Sequence, residues 1–297
     1  MRYQSVASFS DNREPDAILL VHRQGLRLSC MKTSTQTDDR FQRGAHKYAA
    51  YLDTPEGRLR LDLAFATLQE FLPVRQAGHS LSALDLGGGT GAAAVRLAKL
   101  DFHVTLLDSS PAMLEIAERA ARDAGVIDKI VLEHGDVSQS ASLFQSGSFD
   151  LILCHNLLEY VDDPGAVLRG LGRMMRGSPA ILSILVRNQA GEVFKAAIQA
   201  GDLAAAEHNL SAGWGQESLY GGKVRLFTPE ALEPMLQEAS LTPVARRGVR
   251  VIADYLPPQI SRSHEYHRIL ELERKLGNRM EFAAAARYIQ FLARRMS

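Results

Sequence analysis

The stretch SALDLGGGTGAAAVRLA, residues Ser82 to Ala98, decides the fold. A short apolar run, Ala83-Leu84-Asp85-Leu86, drops into Gly87-Gly88-Gly89-Thr90-Gly91, and Ala- and Leu-rich sequence at helical spacing follows. The order reads as strand, glycine turn, helix. Glycines allow a tight turn and close backbone approach to a ligand, and the first helical turn behind them has N–H groups free to bind one. No Gly-Lys-Ser/Thr follows, which excludes a Walker-type phosphate loop. The spacing Gly87-x-Gly89-x-Gly91 is shorter than GxGxxG, so a dinucleotide reading is weakened but stays open.

Working outward, strand patterns at 83–86, 103–108, 130–134, 149–154 and 180–186 alternate with helical patterns at 91–100, 111–124 and 164–175. Such alternation predicts parallel βαβ units and a sheet covered on both faces. Upstream, Phe41 to Leu72 is helical in pattern, with Leu59, Leu63, Ala66 and Leu68 near one face and Pro73 closing it, so one or two helices cap the domain. Residues 1–36 have no sustained periodicity and read as a disordered leader, with Met31 as an alternative start.

Residues 189–227 break the rhythm and read as a substrate-side insertion, with loops at Ala212-Gly213-Trp214-Gly215 and Tyr220-Gly221-Gly222. Thr228-Pro229-Glu230 opens another helix, with Thr228 as its cap. Segments 244–254 and 287–293 read as two last strands around a charged helix at 264–277, closing the sheet with an antiparallel strand.

Composition is that of an ordinary globular protein. The chain has 297 residues, 46% hydrophobic and 23% charged, with a formal net charge of +0, and lacks the global basicity of many nucleic-acid binders. Cys30 and Cys154 lie in no CxxC or Cys/His pattern, so neither a disulfide framework nor a metal site is expected, and a cytoplasmic location fits. Ala17 to Val21, an apolar N-terminal run, is too short to span a membrane.

Three polar positions then fall at strand ends. Asp108 closes the second strand about twenty residues past the glycines, where a carboxylate accepts ribose hydroxyls. Asp136 follows the third strand, on the edge where an adenine amino group finds an acceptor, and His155 follows the fourth. Ser110, ahead of Pro111, reads as a helix cap.

Glycine turn, acid, Asp and polar segment, in this order, resemble the class I S-adenosylmethionine-dependent methyltransferases over about residues 40–297. "LDLGGGTG" is similar to that family's cofactor loop, "LLDSSPAM" to its ribose segment, "HGDV" to its adenine segment and "FDLILCHNLLEYVDDP" to its fourth strand and loop. The resemblance implies an α/β, Rossmann-like methyltransferase fold over 37–297, with a mostly parallel seven-stranded sheet, an antiparallel last strand and helices on both faces. S-adenosyl-L-methionine is the implied cofactor.

Outside the common core, "EGRLR", "HNLLEYVDDP", "RGVRVIADYL", "LELERKLG" and "ARYIQFLAR" resemble members that esterify the carboxylate of a modified wobble uridine in tRNA. That likeness implies cofactor contacts from Arg60, Gly87, Gly88, Gly89, Asp108, Asp136, Val137 and His155, with Arg60 at the methionine carboxylate, and tRNA as partner. Two stretches depart from the pattern: Met175-Arg176-Gly177-Ser178-Pro179 replaces a Lys-Pro-Gly-Gly turn, and "ESLYGGKVRLF" replaces a lysine-rich segment.

A carboxylate acceptor is already nucleophilic and needs orienting cations rather than a base. Arg187, Tyr220, Arg225 and Arg250 are the candidates for orienting it. Arg246, Arg247, Arg250, Arg262, Arg268, Arg294 and Arg295 offer a track for an RNA backbone, although acids interleave them. Two alternatives stand beside the tRNA reading: a small-metabolite acceptor held by the insertion, and a nucleotide-binding protein without turnover.

Overall fold

The computed structural model describes residues 39–74 and 80–296, so the leader expected over 1–36 lies outside the described residues. Two helices precede the sheet, α1 (Asp39–Asp53) and α2 (Pro55–Gln69). They part at Thr54, whose hydroxyl accepts the Gly57 N–H at 3.1 Å while Pro55 opens the next helix. The same cap-then-proline start recurs at Ser110-Pro111, Asp163-Pro164 and Thr228-Pro229. A short polar side chain accepts an otherwise orphaned N–H, and proline fixes a helical φ where no N–H is needed.

Strands and helices then alternate: β1 (Ser82–Leu86), α3 (Ala92–Lys99), β2 (His103–Asp108), α4 (Pro111–Asp123), β3 (Ile130–His134), α5 (Ser140–Leu143), β4 (Leu151–His155), α6 (Pro164–Met174) and β5 (Ile181–Arg187). The insertion follows as α7 (Gln189–Phe194), a π turn at Lys195–Gln199, α8 (Leu203–Asn209), and strands β6 (Trp214–Gln216) and β7 (Lys223–Arg225). The chain closes with α9 (Pro229–Glu238), β8 (Leu241–Val249), α10 (Tyr266–Gly277), α11 (Met280–Ala283) and β9 (Tyr288–Arg295). Among the described residues no helix is long and apolar enough to cross a membrane.

The seven-stranded sheet runs β3-β2-β1-β4-β5-β9-β8. Its first five strands are parallel, and β9 is antiparallel to both β5 and β8. The chain winds outward on both sides of β1, so a crevice opens beyond the carboxyl ends of β1 and β4, the usual ligand position in open α/β sheets.

Alternate side chains serve opposite faces. Leu84, Leu86, Ile152 and Ile184 pack with Leu168 of α6 and Leu232 of α9. Ala83, Leu106, Leu151 and Leu153 pack with Leu97 of α3 and Ala117 of α4. Each fully buried Leu contributes about 1.5–3 kcal/mol relative to exposure, which is what holds the strand ends in register.

Two local readings are corrected. The strand expected to reach residue 254 ends at Val249, because Arg250 takes a φ of 62° and the buried Glu273 carboxylate collects the next three N–H groups, of Val251, Ile252 and Ala253, at 2.6, 2.9 and 2.6 Å. The stretches read as loops at 212–215 and 220–222 belong to a hairpin, in which Trp214 faces Arg225 and Gln216 faces Lys223.

The late arginines are mostly committed within the fold. Arg246 pairs with Glu233, Arg247 with Glu70, Arg250 with Asp254, Arg262 with Glu56 and Arg268 with Glu265. Arg294 and Arg295 are exposed at the end of β9, and Arg295 stands opposite Leu241, at the edge of the sheet away from the crevice.

Candidate functional site

A cleft of about 760 Å³ opens over the carboxyl ends of the parallel strands. Gly87 and Gly89 line it with φ of 67° and 55°, conformations that side chains other than glycine rarely adopt. Asp108, at the end of β2, ties the turn down: one carboxylate oxygen accepts the Gly89 N–H and the other the Ser110 N–H, each at 2.9 Å. Burial raises its pKa, and these N–H groups partly offset that. Asp136 and Val137 line the same wall, with Asp136 accepting the Ser138 N–H at 2.8 Å, and Ser110 caps α4 as expected.

His155 stands at the end of β4 in the cleft wall, its Nε2 2.8 Å from the Ser183 hydroxyl. Burial, with Arg60 adding to it, pushes its pKa down to about 3, so the ring is neutral and too weak a base to take a proton at neutral pH.

Arg60 is no solvated helix charge. It is 7% exposed, with its guanidinium 5.7, 5.1 and 5.6 Å from the ring centres of Tyr48, Tyr51 and Tyr288, and it donates to the Tyr48 hydroxyl at 2.9 Å. Among the described residues no carboxylate pairs with it. Burial works to lower its pKa, and the surrounding tyrosines more than reverse that, so it stays charged.

Arg60 and Gly88 share a small inner chamber of about 50 Å³ with Asp85, which sequence reasoning passed over. Asp85 Oδ2 is buried without a hydrogen-bond partner, and burial, then the nearby Asp108, push its carboxyl up to about 7. The available signal was an acid in an apolar strand immediately ahead of a glycine turn.

The opposite wall comes from α1 and the insertion. Phe41 packs edge-on against Tyr160 and Tyr220, at 5.0 and 4.9 Å between ring centres. Tyr220 lies so close to Gly44 that a Cβ there would fall 2.4 Å from its ring. Arg40 donates to the Gly221 carbonyl at 3.2 Å and Lys47 to the Ser218 carbonyl at 3.1 Å, so loop 217–222 is held to α1.

Of the four expected orienting residues, Arg187 and Tyr220 line the cleft and Arg225 and Arg250 do not. Arg187 is gripped by Glu217, with Glu192 at 3.3 Å. Glu217 also accepts from the Tyr160 hydroxyl at 3.0 Å and the Leu219 N–H at 2.8 Å. Burial acts to raise the Glu217 pKa, but Arg187 and these donors hold it below the usual range, which makes it a poor proton acceptor. Arg250 binds Asp254 and the Tyr51 hydroxyl behind the wall, while Arg225 donates to the Asp162 carbonyl at 3.2 Å on the rim.

Tyr288 was also missed. It lines the cleft at the start of β9, and burial would raise its pKa, yet Arg60, Arg187, Arg250 and Arg287 bring it down to about 8. Against these four arginines stand Glu192, Glu217 and Asp254, and the buried Glu159 carboxylate accepts the Arg187 N–H at 2.9 Å.

An ammonium-carboxylate ligand fits the inner chamber: an arginine without a carboxylate and a buried carboxylate with one oxygen lacking a donor face it, beside a glycine cradle and a carboxylate at a strand end. The amino-acid end of S-adenosylmethionine carries both charges.

Comparison with known proteins agrees. Residues 83–177 match a family described as a methyltransferase domain. The chain is 30% identical over 268 residues to the tRNA 5-carboxymethoxyuridine methyltransferase of Escherichia coli K12, covering 87% of this chain and 97% of that protein. It is 31% identical over 123 residues to the ubiquinone biosynthesis O-methyltransferase of Xanthomonas axonopodis pv. citri, covering 41% and 50%. In structure it is similar to geranyl diphosphate C-methyltransferase from Streptomyces coelicolor, solved with S-adenosyl-L-homocysteine, at a TM-score of 0.53 and 17% identity over 85% of this chain and 84% of that one. The chain belongs to the class I S-adenosylmethionine-dependent methyltransferases.

Proposed function

We propose that this methyltransferase esterifies the carboxylate of 5-carboxymethoxyuridine at the wobble position of tRNA. The observation that carries the reading is the extent of the likeness: the tRNA enzyme matches 87% of the chain, whereas the ubiquinone enzyme matches 41%.

When bound, S-adenosylmethionine supplies an electrophilic methyl group on a sulfonium. In this reading Arg60 holds its carboxylate and Asp85 its ammonium, Asp108 accepts from the ribose hydroxyls, and Asp136 with Val137 borders the adenine. Gly87, Gly88 and Gly89 allow close approach, and His155 is a neutral wall of the site. Methyl transfer is an in-line displacement, so alignment and exclusion of water carry the rate. The roof of α1 and loop 217–222 serves exclusion. Arg187 and Tyr220 face the acceptor side, and a guanidinium in the cleft wall suits an acceptor that brings its own carboxylate. Such an acceptor needs no general base, in keeping with a neutral His155 and a firmly ionised Glu217.

A hydroxyl acceptor is the competing reading, favoured by Tyr288, which a pKa of about 8 makes the most basic-ready group in the wall. Nucleoside analysis of tRNA from cells lacking the gene separates the two. The expected result is loss of the uridine methyl ester with accumulation of its free acid; an unchanged ester content overturns the tRNA assignment.

A further inference from the structure

The β6–β7 hairpin presents a surface that catalysis does not use. Val224 is fully buried and Gly215 packs on Leu226, so the inward face of the hairpin is apolar. The alternate residues, Trp214, Gln216, Lys223 and Arg225, form the other face. Trp214 is the chain's single tryptophan and is 51% exposed, while the Arg225 guanidinium directly across the strand pair lies 4.9 Å from its ring centre. A large aromatic ring steadied on a cation and open to solvent is costly to leave uncovered, and both groups stack well on a flat heteroaromatic ring.

This face adjoins the cleft mouth. Arg225 holds the carbonyl of Asp162, a cleft residue, and Glu217, next to Gln216, reaches into the cleft to Arg187. Among the described residues neither Lys223 nor Arg225 is paired with a carboxylate, and the same is true of Arg173, on the cleft rim, and Lys47, above loop 217–222. The exposed acids lining the mouth are Asp136, Asp162 and Asp163, the last of which caps α6 and pairs with Arg169. Unpaired cations therefore gather around the cleft mouth, while most of the late arginines are neutralised elsewhere.

We propose that Trp214, backed by Arg225 and Lys223, is a stacking platform for an unpaired nucleobase flanking the methyl-accepting nucleotide. This rests on the RNA reading of the acceptor and adds to it how the strand is held: one base stacks on Trp214, and the two cations meet the adjoining phosphates. Stacking of this kind tolerates any base, so the platform supplies affinity and register rather than sequence choice.

Because Trp214 is the only tryptophan, its emission reports this face alone. Titrating the cofactor-loaded protein with a synthetic anticodon stem-loop RNA is expected to quench that emission. Trp214→Ala should bind the labelled RNA about tenfold or more weakly in an anisotropy titration, and Trp214→Phe should keep most of the affinity. Lys223→Ala and Arg225→Ala should each lower the salt dependence of binding by about one phosphate contact. Cofactor affinity by calorimetry should be the same in Trp214→Ala as in the parent, which shows that the variant is folded. Binding of the RNA with tryptophan emission unchanged overturns the platform and leaves the tRNA assignment standing. Failure of the RNA to bind at all, with cofactor binding intact, overturns both.

Discussion

On the sheet side of the cleft, Asp85, Asp108, Asp136 and His155 sit at or just past strand ends and the glycine turn lies between them, so hydrogen bonding along the sheet sets their positions. On the roof side, Arg187 meets Glu217, Arg250 meets Tyr51 and Gln42 meets Ser110, all pairs joined from segments far apart in the chain. The first wall is fixed by backbone that the core stabilises, whether or not a ligand is present. The second is fixed by side-chain hydrogen bonds and ion pairs, and the buried charges among them hold only while each keeps its partner. A single substitution should therefore act differently on the two walls.

The largest effect is expected on the roof side. Arg187→Met removes a cation that is 8% exposed and leaves Glu217, at 1%, facing only hydroxyl and N–H donors, with Glu192 keeping Arg287 at 2.8 Å. Breaking one side of a buried pair costs about 3–5 kcal/mol. Urea unfolding should show a loss of that size, and limited proteolysis should cut first within 189–227. A variant with the parent's midpoint would mean that the wall is held by packing instead.

On the sheet side a change of charge should leave the fold intact and even favour it. Burial raises the Asp85 carboxyl from its ordinary range to about 7, so the folded protein keeps a proton that the unfolded chain has released, and stability falls as pH climbs from about 4 to 7. Asp85→Asn does not titrate. Without cofactor it should be more stable than the parent at pH 7.5, by at least about 1 kcal/mol, with a flatter pH profile. Its affinity for S-adenosylmethionine should drop about 100-fold by calorimetry, because the ammonium loses its counter-charge. Reduced stability together with unchanged affinity would show Asp85 to be a fold residue.

The same division decides how much could be read from the sequence. Strand order, the glycine turn, Asp108 and the caps at Ser110 and Thr228 follow from periodicity and local chemistry, and those local rules operate within a few residues of each other. Thr54-Pro55 carried the same signal as Thr228-Pro229 and marks where the long helical segment divides. The end of β8 was illegible, because the carboxylate that terminates it comes from Glu273, 22 residues later than Val251. Arg250 and Arg187 looked alike as lone arginines, and only the fold shows one behind the wall and the other in it. Tyr288 gave no signal, since its character comes from four arginines on α2, β5 and the segments flanking β8 and β9.

The smallest effect tests the charge of that roof-side cluster directly. Four arginines act on Tyr288, Arg60 from α2, Arg187 from β5, Arg250 past β8 and Arg287 ahead of β9, with Lys195 and the Tyr51 phenol of α1 also near, against Glu159, Glu192, Glu217 and Asp254. With burial outweighed, one phenol should ionise near pH 8 in a near-ultraviolet titration, and Tyr288→Phe should lack that step. Its folded pKa lies below the unfolded value, so the stability it contributes is absent below pH 8 and grows as pH rises towards about 10. Adding S-adenosylmethionine brings a carboxylate to Arg60 in this account and weakens the field on the phenol, so the step should move to higher pH and binding at pH 8.5 should take up a fraction of a proton, measurable by calorimetry in buffers of different ionisation enthalpy. A phenol that titrates only near its ordinary pH 10 would show the arginines to be fully balanced by their acids. The roof side would then have no surplus charge with which to draw an acceptor carboxylate, and the choice between carboxylate and hydroxyl acceptors would turn against the former.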